Sequence, residues 1–323
     1  RHWVSVYRLA VQWTNARTWL GRRVLVTGAS GFVGQAVCRV LLEAGAEVHG
    51  TWRRHRAADE VIQWPATLPA DAAAVVARVD PEVVFHLAAP VNLGRDEELY
   101  DALRDGIVDA TRAVAAACER SGARLVHVGT CDEVAGAQAP MNEDALVATT
   151  SPYGALKAAA SEWVRMRGVC GDLQAVVLRP FRAYGPGGRS GLVPAACRAA
   201  LKGQELGITD GLQVREWNHV DAIAAHVVAA GAHPDAPGQV LHLGGGPRLS
   251  VLHLARRIFE CAGCDPDLVK PGALPRRLAE VDALFTDAHA ALCLFGAPPA
   301  MTLEEGLQDT LEWTRHALSG GEA

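Results

Sequence analysis

The strongest constraint on this chain is a glycine-rich turn set between an apolar strand and a helix, Val24-Leu-Val26 followed by Thr27-Gly-Ala-Ser-Gly-Phe-Val-Gly34. The helix that opens there reads from Phe32 to Ala44 and is closed by Gly45. Gly28, Gly31 and Gly34 at that spacing permit a tight turn and let the backbone approach a pyrophosphate resting on the helix N-terminus. Ser30, Phe32 and Val33 share the turn and join the glycines as candidate cofactor contacts.

Strand and helix signals then alternate to about residue 180. Further strands are predicted at Glu47 to Thr51, Val83 to Leu87, Leu125 to Val128 and Ala175 to Leu178, with helices near 97–121 and 154–168. Strands separated by helices of this length imply a parallel sheet with right-handed crossovers. The fold class is therefore α/β, a Rossmann-type doubly wound parallel sheet over residues 21–180. Residues 181–323 read mainly as a smaller, interleaved substrate-binding lobe. It carries helices near 192–202, 220–231, 250–262 and 303–317 and a strand at Val240 to Leu243. A cleft between the lobes, at the carboxyl ends of the strands, is the expected ligand site.

Bulk properties exclude several classes. The formal net charge of -5 comes from interspersed acids and bases, with no basic stripe of the kind that binds nucleic acid. No apolar run approaches the roughly 18–20 residues of a membrane span. Eight scattered cysteines form no dense disulfide framework, which points to a reducing cytoplasm. Cys261-Ala-Gly-Cys264 has no partner pair nearby and reads as the end of a packed helix; no metal site is expected. Residues 1–20 pattern as an amphipathic extension, packed on the domain or on a dimer partner, and a homodimer is the expected assembly.

The chemistry is carried by Tyr153-Gly-Ala-Leu-Lys157 in a chain with only four tyrosines and with Lys157, Lys202 and Lys270 as its lysines. One helical turn apart, the two side chains share a face. A phenol has an ordinary pKa of about 10. A lysine ammonium and a positive nicotinamide ring would lower it, making Tyr153 a proton donor or acceptor in hydride chemistry, while Lys157 also holds the nicotinamide ribose. At the end of the second strand stand Trp52-Arg53-Arg54, with no acid to grip two ribose hydroxyls. Two guanidiniums favour a 2′-phosphate, hence NADP, with NAD as the alternative.

These features occur with HLAA at 86–89, SPYGALKAA at 151–159, LRPFRAYGPGG at 178–188, VREWNHVDAI at 214–223 and LEEGLQDTLEW at 303–313. In that order they resemble the extended short-chain dehydrogenase/reductases of the nucleotide-sugar epimerase and dehydratase group. Glu47 to Arg54 and Arg277 to Asp282 are similar to GDP-mannose 4,6-dehydratases and GDP-4-keto-6-deoxymannose reductases. The resemblance implies an NAD(P)-dependent enzyme acting at C4 of a nucleotide-diphosphate hexose, 4,6-dehydratase-like or 4-epimerase-like. The alternatives are an NADPH-dependent 4-keto-6-deoxy-sugar reductase and a non-catalytic NADP-binding module. It also implies that Leu87, Ala88, Ala89 and Pro180 line the cofactor. Arg182, Val193, Arg215 and Arg277 would lie on the substrate side, the last two near the diphosphate.

The family's Ser or Thr after the fourth strand falls on Gly129-Thr-Cys-Asp-Glu-Val-Ala-Gly136, where either Thr130 or Cys131 fills the position. A thiol is the weaker donor, which favours Thr130. Asp132 and Glu133 offer the acid and base of a dehydratase, Glu133 at C5 and Asp132 at the C6 hydroxyl; the bland alternative is a helix cap beside a solvated carboxylate. Ala135 stands where an aromatic residue is usual, and Arg182 where Asn is usual.

Overall fold

The computed structural model describes residues 18–52, 58–298 and 301–320. Arg53, Arg54 and nearly all of the N-terminal extension lie outside these. The first half of the chain winds β1 (Arg23–Thr27), α1 (Phe32–Glu43), β2 (Glu47–Trp52), β3 (Ile62–Pro65), α2 (Ala72–Val79) and β4 (Val83–His86). Then come α3 (Leu99–Arg104), a π-helical turn at Asp105–Asp109, α4 (Ala110–Ser121), β5 (Arg124–Val128), α5 (Pro152–Cys170) and β6 (Ala175–Pro180). β3 and α2 are additions to the sequence reading. β3 is only four residues long and ends on Pro65, which an edge strand tolerates because its outer N–H needs no partner.

These strands and β11 (Val240–Leu243) form one seven-stranded sheet in the order β11-β6-β5-β4-β1-β2-β3. All its pairings are parallel. Parallel strands covered on both faces run as continuous apolar stretches, and Val24, Leu25, Val26, Val83, Val84 and Phe85 are all buried. The strand order reverses between β1 and β4, which opens a crevice at their carboxyl ends.

The remaining elements are β7 (Ala183–Tyr184), α6 (Leu192–Lys202), β8 (Leu206–Gly207), β9 (Val214–Glu216), β10 (Asn218–His219) and α7 (Val220–Ala232). β12 (Arg248–Ser250), α8 (Val251–Cys261), β13 (Val269–Lys270), β14 (Ala283–Leu284), α9 (His289–Phe295) and α10 (Leu303–Ser319) complete the chain. The two lobes interleave more deeply than chain order suggests. α7 packs against α1 on one sheet face, in a cluster that includes Val37, Val40, Ile223, Val227 and Trp19, and β11 extends the sheet itself. On the other face α2, α4 and α5 pack over Leu25, Val84 and Leu125. The second lobe has its own core, built from α6, α8 and α10 around Trp217, Leu254, Phe259 and Leu307. Cys261 is the last residue of α8, as its sequence context suggests.

Candidate active site

Gly28 adopts a positive φ of 74°, and a Cβ there would stand 2.8 Å from the Ala88 nitrogen at the end of β4. A Cβ on Gly34 would overlap the Gly28 carbonyl oxygen. Only glycine lets the turn lie flat across β1 and β4 and lets α1 start directly above it. Gly31 caps α1 without any side-chain hydrogen bond, and the first turn of α1 carries no acid. Its N–H groups are thus left for an anion, and the cradle fits a pyrophosphate. Gly28, Gly31 and Gly34 come together with Leu87 and Ala88, with Phe32 and Val33 partly buried on the adjoining core, while Ala89 packs against the Leu103, Ile107 and Tyr153 cluster.

Ser151 accepts the Gly154 N–H at 3.0 Å and Pro152 follows it, so α5 starts sharply. That start fixes Tyr153 and Lys157 in the first two turns, both buried. The Lys157 ammonium donates to the Val128 carbonyl at 2.6 Å. Burial pushes Lys157 down to about 8, opposed by the negative charge of Glu133. Tyr153 departs from the sequence expectation. Its phenol is held above the ordinary value, first by burial and then by the nearby Asp132, Cys131 and Glu133. The protein's own field therefore keeps Tyr153 protonated, as a proton donor must be.

Between β5 and α5, residues Cys131–Glu133 form one 3₁₀ turn capped by Thr130. The Thr130 hydroxyl donates to Asp132 Oδ2 at 3.2 Å and accepts the Asp132 N–H at 3.3 Å. Cys131 packs among Val134, Ala135, Met141, Phe181 and Leu284, and burial raises its thiol to about 12. The adjacent acids face different ways. Asp132 lines a cleft, where its Oδ1 pairs with Arg182 at 3.1 Å. Glu133 is 0% exposed. Its Oε1 accepts from the Thr130 N–H at 3.0 Å and the Ser161 hydroxyl at 2.9 Å, and its Oε2 from Arg179 Nε at 2.7 Å. Glu133 is thus buried and fully engaged rather than solvated, and its three partners weigh against its reading as a base near C5. The cause is Arg179 on β6, whose guanidinium claims the carboxylate from beneath.

The cleft is walled by Arg95, Arg182, Arg215 and Arg277, against the carboxylates of Asp132 and Glu280. Arg215 pairs with Glu280 at 3.3 Å. Arg95 donates to the carbonyls of Leu93 and Leu278 and to Thr150, all neutral acceptors. Burial and then repulsion from Arg277 lower the pKa of Arg95, and burial and then Arg182 lower that of Arg215. Crowded guanidiniums in excess over carboxylates select an anion. Arg182, Arg215 and Arg277 line this one cleft together. Val193 does not: it lies on α6 in the core of the second lobe, where a helix face must be apolar to pack. Arg95 and Glu280 were not anticipated, because both sit in irregular segments with no periodic signal.

The sequence of residues 24–244 matches the family model described as NAD dependent epimerase/dehydratase. The chain belongs to that family. It is 31% identical to a UDP-glucose 4-epimerase of Mycolicibacterium smegmatis, over 91% of this chain and 99% of that one. It is 29% identical to a dTDP-glucose 4,6-dehydratase of Streptomyces niveus, over 72% and 70% of the two chains. The solved structure of MoeE5 in complex with UDP-glucose and NAD superposes with a TM-score of 0.81 at 30% identity, covering 91% of this chain and 99% of that one. The family is an enzyme family with a nicotinamide cofactor, and the fold expected for it is the fold observed.

His219, Asp221 and Asp309 place possible ligand atoms within 4.8 Å of one another, away from the cleft. His219 Nδ1 accepts the Asp221 N–H, so Nε2 carries the proton, and Asp221 pairs with Arg39 at 2.9 Å. Nδ1 of His219 and the Asp221 carboxylate are thus engaged within the protein.

Proposed function

We propose that this enzyme oxidises and re-reduces C4 of a nucleotide-diphosphate hexose in an epimerase-like cycle that regenerates its cofactor. The observation that carries the reading is the closeness of Tyr153 to the Asp132–Arg182 pair, which lines a cleft with four guanidiniums. The excess of arginines over carboxylates suits a diphosphate. Tyr153 then exchanges a proton with the C4 hydroxyl, and Lys157 supplies positive charge near that phenol and a grip for the nicotinamide ribose. Bound nicotinamide supplies the hydride acceptor and donor. Thr130 or Cys131 would steady the reacting oxygen. A 4,6-dehydratase needs an acid for the C6 hydroxyl and a base for C5. Asp132, which lines the cleft, would serve as the first, while the enclosure of Glu133 argues against its serving as the second, and this favours the epimerase-like cycle.

The substrate class is tested by incubating the enzyme and cofactor with UDP-, dTDP- and GDP-hexoses and with simple aldehydes and ketones, reading products by NMR. Conversion of a nucleotide hexose is expected. Turnover confined to carbonyl compounds without a nucleotide would contradict the proposal.

For the cofactor, Arg53 and Arg54 extend the proposal to a preference for NADP over NAD. Charge-assisted hydrogen bonds contribute about 1.5–3 kcal/mol each. Fluorescence titration should show tighter NADPH than NADH binding, and replacing both arginines with Ala should erase the difference. Equal affinities in the unmodified enzyme would refute the preference.

A further inference from the structure

We propose that Glu133 is the positioning residue of this site: its carboxylate ties the turn after β5 to α5 and β6, and holds the Lys157 ammonium charged. Three elements meet on this one group. Thr130 gives its N–H from the turn, Ser161 its hydroxyl from α5, and Arg179 its guanidinium from β6. Ser161 lies one helical turn beyond Lys157 on the same face of α5. Glu133 Oε1 also lies against Gly129, where any Cβ would overlap it. Gly129 directly follows Val128, whose carbonyl takes the Lys157 hydrogen bond. The carboxylate therefore stands one residue from the acceptor of the lysine it serves.

The other groups facing Lys157 do not supply a negative charge in that place. His86 on β4 and His127 on β5 are buried, and burial followed by the Lys157 charge keeps both neutral. Tyr153 on the same helix is held in its protonated form, and Cys131 as a thiol. Asp132 is turned into the cleft and paired with Arg182. Desolvation of a lysine favours the neutral amine, and an opposing carboxylate is the standard remedy. Arg179 makes the arrangement possible, because a carboxylate with no exposure needs its own cation and hydrogen bonds.

The inference depends on the proposed function only for its catalytic consequence; its test needs neither substrate nor cofactor. With only Lys157, Lys202 and Lys270 in the chain, ¹³Cε-lysine labelling gives three side-chain resonances, and Lys157→Met identifies the buried one. In the unmodified protein the Lys157 resonance should titrate near pH 8. Glu133→Gln should move that midpoint down by about 1 pH unit or more, and Glu133→Asp should restore most of it. Ser161→Ala, which keeps the charge, should leave it in place. If Glu133→Gln does not fold, the paired Glu133→Gln, Arg179→Gln variant leaves no buried charge unmatched. A downward movement is expected in it too, smaller than in Glu133→Gln because the Arg179 cation goes with the carboxylate it pairs. A midpoint unchanged in whichever of the two folds would overturn the proposal. A change as large in Ser161→Ala would overturn it as well, by showing that packing rather than charge sets the titration.

Discussion

Tyr153 and Lys157 sit in the first turns of α5, where Ser151 and Pro152 fix the backbone before either side chain is placed. Tyr153→Phe removes one hydroxyl from a buried ring that packs with Leu103, Ile107 and Leu156. Fold and cofactor binding should survive, while turnover falls by about 10²–10⁴, the usual contribution of a positioned acid or base. Steady-state kinetics and a cofactor titration on one preparation check both halves. A variant that keeps most of its kcat would remove Tyr153 from the mechanism. This pair was legible in the sequence because a helical spacing of four fixes a shared face without help from the rest of the chain. Glu133 was not. Asp132 and Glu133 are neighbours in sequence, and nothing local says which of them turns inward. Arg179, 46 residues on, decides that, and such a partner is visible only once β5 and β6 are paired.

Among the elements, the strand–turn–helix from β1 to α1 bears most directly on the cofactor. Gly34→Ala would force the first turn of α1 off the Gly28 carbonyl, an overpacking that costs about 1–3 kcal/mol or more. The expected outcome is loss of cofactor binding together with a lower melting temperature, read by calorimetry and by titration with NADH. Unchanged binding would show that the cradle is not the pyrophosphate site. Elements with clear periodicity, such as α1 and α10, were legible from sequence to within a residue or two. β3 and α2 were not: β3 is an edge strand of four residues, and α2 spans only eight, mostly Ala and Val, too few turns for its period to stand out in the sequence. The role of α7 was hidden for a different reason. It follows the turn-rich stretch after Pro180 and yet returns to cover the first sheet, a topology set by where α1 leaves an open apolar face.

At the scale of the whole molecule, buried histidines predict an acid limit to stability. Burial holds His86 at about 3, and His226 and His242 at about 4, against an ordinary value of 6.5. The folded state keeps these rings neutral while the unfolded chain would protonate them. Stability is therefore full above about pH 6.5 and is lost as pH falls toward 4, each tenfold difference in proton affinity between the folded and unfolded chain being worth about 1.4 kcal/mol. Urea midpoints should fall steeply between about pH 6.5 and 4.5. His86, held between Thr27 at 2.7 Å and Thr111 at 3.1 Å, should carry part of that slope, so His86→Asn should flatten it. A midpoint independent of pH over that range would contradict the burial argument.

The proposed cycle joins these scales: a sheet that would present the cofactor, a helix that presents Tyr153, and a cleft of arginines that would hold the diphosphate, with Glu133 enclosed among Thr130, Ser161 and Arg179. Incubation with a convertible nucleotide hexose and cofactor in deuterated water tests it most directly. The account predicts inversion at C4, with no solvent deuterium at C5 and no net cofactor consumption. Deuterium at C5 in a 4-keto-6-deoxy product would contradict it, because some group would then have to act as the C5 base that Glu133 is not placed to be.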